Sequence, residues 1–256
     1  MLSVIVPAYN EAGQIKSTID DISASLREND IDHEIIIIND NSQDDTELIL
    51  MSISSKYPEV SYLNNPPPNN GYGYAVRYGL EMFHGDVVAI MMADGSDSPV
   101  DLVRFYKKIN EGYDCIFGSR FIRGGVTIDY PWPKLFLNRL VNSTIQLLFV
   151  TSCNDITNAF KMFRREVIAG VQPLLSNHFN LTVELPLKAI VRKYNYTVLP
   201  NSWHNRKEGV SKFKINEMGS RYVFIILYCY LEKLLTRGDY LSADSAEKNI
   251  DNSNLK

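Results

Sequence analysis

Residues 87–99 read VVAIMMADGSDSP, an apolar run that drops into two aspartates, small residues and a proline. A carboxylate at the carboxyl end of a buried strand can hold Mg²⁺ or Mn²⁺ against a diphosphate. Mg²⁺ takes one or two protein carboxylates and completes its shell with phosphate oxygens and water. Asp94 and Asp97 are therefore candidate metal ligands. The same stretch also suits a turn into a helix: Ser96, Asp97 and Ser98 are capping types, and Pro99 fits a first helical turn. The two roles are compatible. Met92 stands where a further carboxylate would have strengthened a metal site.

Two basic stretches could complement the acidic one. GSRFIRGG (118–125) carries Arg120, and HNRKEGVSK (204–212) carries Arg206 and Lys212. Arginine forks suit phosphate oxygens. Taken alone, 204–212 reads as a solvated basic turn. GYGYAVRYG (71–79) superficially matches a dinucleotide fingerprint, but its third glycine is replaced by Val76 and it follows the third strand rather than the first. A tight turn into a helix, with the Gly73 backbone close to a neighbouring segment, is the simpler reading.

These residues need elements to place them. Val4–Val6, Glu34–Ile38, Val60–Leu63, Val87–Met91 and Cys115–Phe117 are short, apolar and often β-branched, as strands are. Helical patterns lie between them, over 12–28, 45–56, 73–84 and 99–111. The alternation predicts an α/β fold with a mostly parallel central sheet and helices on both faces. Ligands of such sheets bind at the carboxyl ends of the strands. There the sequence places PAYNEAG (7–13), NDNSQDDT (39–46), ADGSDSP (93–99) and GSRFIRGG, so acidic and basic groups converge on one edge. Beyond Gly125 the pattern predicts a helix over 135–150, a turn and strand over 155–165, a helix over 180–194, a strand over 196–203 and a final helix over 215–235. A polar tail from about 237 is expected to be disordered.

The 256 residues carry a net charge of −4, with 45% hydrophobic and 22% charged residues. That is an ordinary globular composition, with no basic field to attract nucleic acid. The three cysteines are far apart, which excludes a disulfide scaffold and a cysteine zinc site and fits a reducing compartment. The four histidines show no metal-ligand spacing. The start, LSVIVPAY, reads as a strand and not as a signal peptide. The longest apolar run, Tyr222–Leu231, is half of the roughly 20 residues that span a bilayer. A cytoplasmic protein is expected, free or peripheral on the cytoplasmic face of a membrane.

In order along the chain, VIVPAYNE, NDNSQDDT, NGYGYAVRYGL, ADGSDSP, GSRFIRGG, DITNAFKMFRR and RKEGVSK together resemble the inverting GT-A glycosyltransferases of the family 2 type. Within them the resemblance is to the dolichol-phosphate mannosyltransferase and polyprenyl-phosphate glycosyltransferase group, over about residues 2–214. It implies a Rossmann-like nucleotide-diphospho-sugar transferase fold over 1–236, with a nucleotide-binding half to about 125 and an acceptor half from 126. Pro7, Tyr9 and Glu11 would line the base and ribose of a GDP- or UDP-sugar, with Ile38, Ser42 and Ala93 beside them. Of the two aspartates usual after the second strand, the first is Asn39 here and the second is Asp40, which would meet the nucleoside. The usual Asp-x-Asp reads Met92-Ala93-Asp94. Asp94 would bind Mg²⁺ or Mn²⁺, and Asp97 would lend a second carboxylate.

The resemblance also implies that Arg120 faces the phosphates, that Lys134 or Arg139 stands in for a further arginine, and that Arg206, Gly209, Ser211 and Lys212 form a loop closing over donor and acceptor. Asp94, Arg120 and Arg206 would carry catalysis. A divalent cation and arginine would stabilise the leaving diphosphate, and attack from the opposite face would invert the anomeric carbon. A polyprenyl phosphate acceptor is already anionic and needs cationic positioning. An alcohol or glycan acceptor would need a carboxylate base, with Asp155 and Glu184 as candidates. The apolar stretches 135–150 and 222–231 could dock the lipid at a membrane surface, pack on the sheet, or form a homodimer contact. A non-catalytic nucleotide-sugar binder is the alternative that Asn39 and Met92 motivate.

Overall fold

Strand β1 (Leu2–Ala8) is buried along its whole length, which requires cover on both faces of the sheet. The computed structural model supplies that cover. It describes residues 1–204, 215–236 and 238–241. Alternation along β1 sends Ile5 to one face and Val4 and Val6 to the other. On the Val4–Val6 face lie α1 (Ile15–Glu28), α2 (Thr46–Lys56) and α4 (Pro99–Ile109). On the Ile5 face lie α3 (Tyr72–Met82), α5 (Trp132–Phe149), α6 (Arg165–Gly170), α7 (Leu181–Val191) and α8 (Ile215–Leu235).

The remaining strands are β2 (His33–Asn39), β3 (Val60–Asn64), β4 (Val87–Ile90), β5 (Cys115–Ser119), β6 (Val126–Ile128), β7 (Lys161–Arg164), β8 (Tyr196–Pro200) and β9 (Ser202–His204). Seven of the strands form one sheet in the order β3-β2-β1-β4-β7-β5-β8. The expected α/β class and the mostly parallel sheet are found. Strand β7 is the exception: it runs antiparallel between β4 and β5, with Ile90 and Phe117 both opposite Lys161. Reversal brings the start of β7, and not its end, to the edge where β4 and β5 finish.

Two features differ from the sequence expectation. The strand over 196–203 breaks at Asn201, whose N–H is drawn to the Ser119 carbonyl and whose carbonyl accepts from Val126. The residues beyond the break form β9, which pairs with β6 in a small parallel sheet. Helix α6 follows β7 directly, where no separate helix is expected from sequence. Strands from both expected halves of the chain share the main sheet. Arg206, Gly209, Ser211 and Lys212 lie outside the described residues, as does most of the expected tail.

The close approach expected at Gly73 is present. A Cβ there would stand 2.5 Å from the Asn177 carbonyl carbon and 2.6 Å from the His178 nitrogen. Backbone cannot yield as a side chain can. Gly73→Ala is therefore expected to cost about 1–3 kcal/mol, the usual penalty of overpacking. Urea unfolding measures it, and a variant of unchanged midpoint would contradict the contact.

Candidate active site

The turn after β4 is built from side chains that bond their own backbone. Asp94 Oδ1 accepts the Ser96 N–H at 3.1 Å, and Gly95 takes φ +68°, a left-handed conformation that glycine adopts without strain. Thr18 of α1 donates to the Ala93 carbonyl at 3.0 Å and fixes the turn from below. Ser98 stands at the N-cap position of α4, without a side-chain cap bond, and Pro99 opens the helix as expected.

Asp97 does not cap α4. Its Oδ2 accepts the Met92 N–H at 3.0 Å, and it is only 5% exposed. The Asp97 carboxylate therefore lies against the backbone of Met92. Burial pushes the Asp97 carboxyl up to about 7, the Met92 N–H opposes this, and the neighbouring Asp94 charge adds to it. Two hard oxygen donors in mutual repulsion suit a divalent cation. Among the described residues no group of three or more His, Cys, Asp or Glu could hold a metal. The donor set therefore fits a Mg²⁺ or Mn²⁺ that takes its other ligands from substrate phosphate and water.

The same turn holds the start of the basic loop. The His204 N–H donates to the Ser96 carbonyl, and Asp97 forms a β-bridge with Trp203. Asp101 of α4, buried, accepts the Ser202 N–H at 2.7 Å and binds Arg104. Trp203 and His204 are thus held at the Asp94–Asp97 turn.

Arg120 follows β5 and is 9% exposed. Its Nε and Nη2 each donate to a carboxylate oxygen of Asp155 at 2.8 Å, and its backbone N–H donates to the same carboxylate at 3.1 Å. The guanidinium carbon sits 5.3 Å from the Phe121 ring centre and 5.4 Å from that of Tyr130. Arg139 joins this cluster, with its guanidinium carbon 4.6 Å from the Phe121 ring centre, and donates to the Asn154 carbonyl. Lys134 is half-buried in the first turn of α5. Arg120 is thus a fixed buried cation whose field reaches Asp97, not an extended clamp.

Two expectations are corrected here. Asp155 is fully buried, and its oxygens are engaged by Arg120, so it is not an available base. Glu184, also fully buried, accepts the N–H groups of Leu175 and Ser176 and pairs with Lys188 at 2.9 Å. Neither carboxylate opens to an acceptor. From sequence alone, a carboxylate that serves a buried ion pair looks the same as one that serves catalysis.

The neighbouring part of the edge is formed by the loops after β1 and β2, which are laced together. The Asn10 N–H donates to Ser42 Oγ, Gln43 N–H to Asn10 Oδ1, and Glu11 N–H to Thr46 Oγ1. Pro7 pairs with Ile38 in register, and Tyr9 and Glu11 are half-buried beyond them. Asp40 accepts from Asn65 Nδ2 at 2.7 Å and from the Gly71 N–H at 2.8 Å. In this structure it clamps the 65–71 loop, and burial raises its pKa.

Sequence reasoning missed Lys161. It is fully buried at the head of β7 and donates to the carbonyls of Ile156 and Asn158, fixing the loop that carries Asp155. Burial holds its ammonium down, at about 8. It also missed Tyr130 and Trp203, whose ring centres lie 5.0 Å apart beside Arg120. The Trp in NSWHNRK, next to the basic loop, was the available signal.

A parallel sheet with one reversed strand, an acidic turn after β4 and a buried arginine after β5 define a nucleotide-sugar transferase of the GT-A type. Residues 3–171 match Glycosyl transferase family 2, and the chain belongs to that family. It is a glycosyltransferase. Among its relatives, the polyprenol monophosphomannose synthase of Mycolicibacterium smegmatis is 26% identical over 233 residues, covering 85% of this chain and 86% of the relative. The dolichol-phosphate mannosyltransferase of Pyrococcus furiosus is 29% identical over 216 residues. That match covers 83% of this chain but only 59% of the archaeal protein. The fold is similar to that of glucosyl-3-phosphoglycerate synthase from Mycobacterium tuberculosis, solved with Mn²⁺, UDP and phosphoglyceric acid. The TM-score is 0.67 at 20% identity, covering 90% of this chain and 78% of that one.

Proposed function

We propose that this enzyme transfers a sugar, with inversion, from a nucleoside-diphosphate sugar to a polyprenyl phosphate at a membrane surface. The observation that carries the choice of acceptor is the fate of Asp155 and Glu184. Both carboxylates that could have deprotonated an alcohol are locked in buried ion pairs. A phosphate acceptor needs no such base. The names of the two relatives point the same way.

Asp94 and Asp97 would hold the divalent cation, which when bound supplies Lewis acidity at the diphosphate. Arg120, kept charged by Asp155, adds positive potential at the same edge and costs no reorganisation, because it is already fixed. Pro7, Tyr9, Glu11, Ile38 and Ser42 would seat the nucleoside, with Asp40 holding the loop beside it. Lys134 and Arg139 would draw the acceptor phosphate toward the sugar. Arg206, Ser211 and Lys212 are assigned the same task from the sequence.

The apolar faces of α5 and α8 support the membrane part of the reading. Trp132, Phe136, Leu140 and Leu147 are exposed along α5, and Phe224, Leu227, Leu231 and Leu234 along α8. Both sets recur at helical spacing, so each forms a stripe. The inner face of α8 packs on the core through Ile225 and Cys229. No helix among the described residues is long and apolar enough to cross a membrane. Stripes of this kind suit an interfacial position. A soluble anionic acceptor could use the same cations but would leave these stripes without an occupant.

The test pairs two acceptors. With a nucleotide sugar and Mn²⁺, sugar is expected to pass to a short polyprenyl phosphate and not to the matching polyprenol. Equal transfer to the alcohol would overturn the acceptor assignment. Titration with UDP and with GDP, each with Mn²⁺ and then with EDTA, identifies the donor nucleotide.

A further inference from the structure

Position 161 opens β7 among large apolar neighbours: Phe160, Met162 and Phe163 are all fully buried, and Lys161 is as buried as they are. Burying an ammonium is costly, and the start of a strand does not require one. The ammonium is bonded to main-chain oxygen. Its Nζ donates to the Ile156 carbonyl at 3.0 Å and to the Asn158 carbonyl. Both carbonyls belong to one turn, which the Asn158 N–H closes by donating to the Asp155 carbonyl at 3.0 Å. At the head of that turn the Asp155 carboxylate accepts from three donors of Arg120. A compact charge with three rotatable donors suits the gathering of carbonyls in this way.

The Asn158 side chain ties the same turn to its surroundings. Its Nδ2 donates to the Gly118 carbonyl at 3.0 Å and to Asn201 Oδ1 at 2.9 Å, and its Oδ1 accepts the Phe160 N–H. Gly118 lies two residues before Arg120 on β5, and Asn201 is the break from which β9 runs to the Asp94–Asp97 turn. The junction is tight: a Cβ on Gly118 would stand 2.9 Å from both Asn201 Oδ1 and the Phe160 carbonyl oxygen. One turn thus meets the strand end that carries Arg120 and the break that leads to Trp203.

We infer that Lys161 is a positioning residue for sugar transfer: by holding the 155–158 turn it sets the Asp155 carboxylate, and through it the place of the Arg120 guanidinium. Being fully buried, it touches no substrate itself. This role depends on the reading that Arg120 serves transfer.

Lys161→Met tests it, with Lys161→Gln beside it. The methionine removes charge and donors at similar volume. The glutamine keeps a buried donor without the charge, in case the methionine variant does not fold. Two readouts are taken on protein that urea unfolding shows to be folded. The first is the Nε–H resonance of Arg120 in protein labelled with ¹⁵N-arginine, identified by its absence from the double variant Arg120→Met with Asp155→Leu. It is expected to shift or broaden in both Lys161 variants and to keep its native position in Lys161→Arg, which retains cation and donors. The second is turnover with Mn²⁺, farnesyl phosphate and GDP-mannose or UDP-glucose. In Lys161→Met, kcat is expected to fall about tenfold to a hundredfold, the scale on which a misplaced group is felt, with the donor KM changed by less than about twofold. In the background of the double variant, Lys161→Met should lower kcat no further, because no Arg120 is left to place. A native Arg120 resonance in the folded Lys161 variants would overturn the inference. So would a loss of turnover that is as large without Arg120 as with it. A displaced resonance with native turnover would remove Arg120, and Lys161 with it, from transfer while leaving the placement intact, so the two failures are told apart.

Discussion

Asp94→Asn is expected to lower sugar transfer by about a hundred- to a thousandfold, the scale on which loss of one group stabilising the transition state is felt. The asparagine keeps an acceptor for the Ser96 N–H, so the turn should persist while the charge is lost. The half-buried position of Asp94 makes a large folding defect unexpected. The rate should be read beside nucleotide affinity. In the native protein Mn²⁺ should tighten nucleotide binding and EDTA should relax it. In the variant the two conditions should converge. A variant with native turnover would remove Asp94 from the metal site. Native turnover that is also indifferent to EDTA would point to a reaction run on the protein's own cations.

The second large effect is expected on stability. Asp155→Ala leaves the Arg120 guanidinium buried without its counter-charge. Removing one partner of a buried pair typically costs about 3–5 kcal/mol. Unfolding in urea should show the loss as a lowered midpoint. The double variant Arg120→Met with Asp155→Leu should recover much of that stability, because neither charge is then stranded. Its sugar transfer should stay low, since the fixed cation beside Asp97 is gone. Full transfer activity in the double variant would show that Arg120 serves the fold alone. An unchanged midpoint in the single variant would contradict the pair itself.

The parallel core of the fold was legible because its signals are local. Apolar runs such as EIIIIN and VVAI announce strands, and the intervening periodicity announces helices. The clustering at one edge followed from a general property of such sheets. The reversal of β7 was not legible. Nothing in KMFR distinguishes an antiparallel from a parallel strand, and only the partners on either side decide it. The break at Asn201 is likewise set by a tertiary bond, to Ser119 of another strand.

At the site, motif types were readable and their hydrogen bonds were not. Asp94 and Asp97 could be nominated from ADGSDSP, yet the return of Asp97 to the Met92 backbone depends on the shape of the turn. Asp155, Glu184 and Lys161 show the harder limit. Burial and pairing give them structural work that residue type and spacing do not reveal.

The reversed strand has a consequence for the growing chain. When residue 125 has been synthesised, β1 to β4 can already pair with one another, but β5 has no neighbour. Both of its partners, β7 and β8, are still to come. Residues 161–164 are the bridge, and β4 keeps an open edge until they arrive. The acidic turn belongs to the early block, and Arg120 gains its lasting place only with the late one, since Asp155 arrives just ahead of β7. A nascent chain therefore carries the acidic turn for some time before it carries the cation whose field reaches it. Catalytic competence is expected late in synthesis, once a single four-residue strand joins β5 to the early block and β8 then closes the far edge.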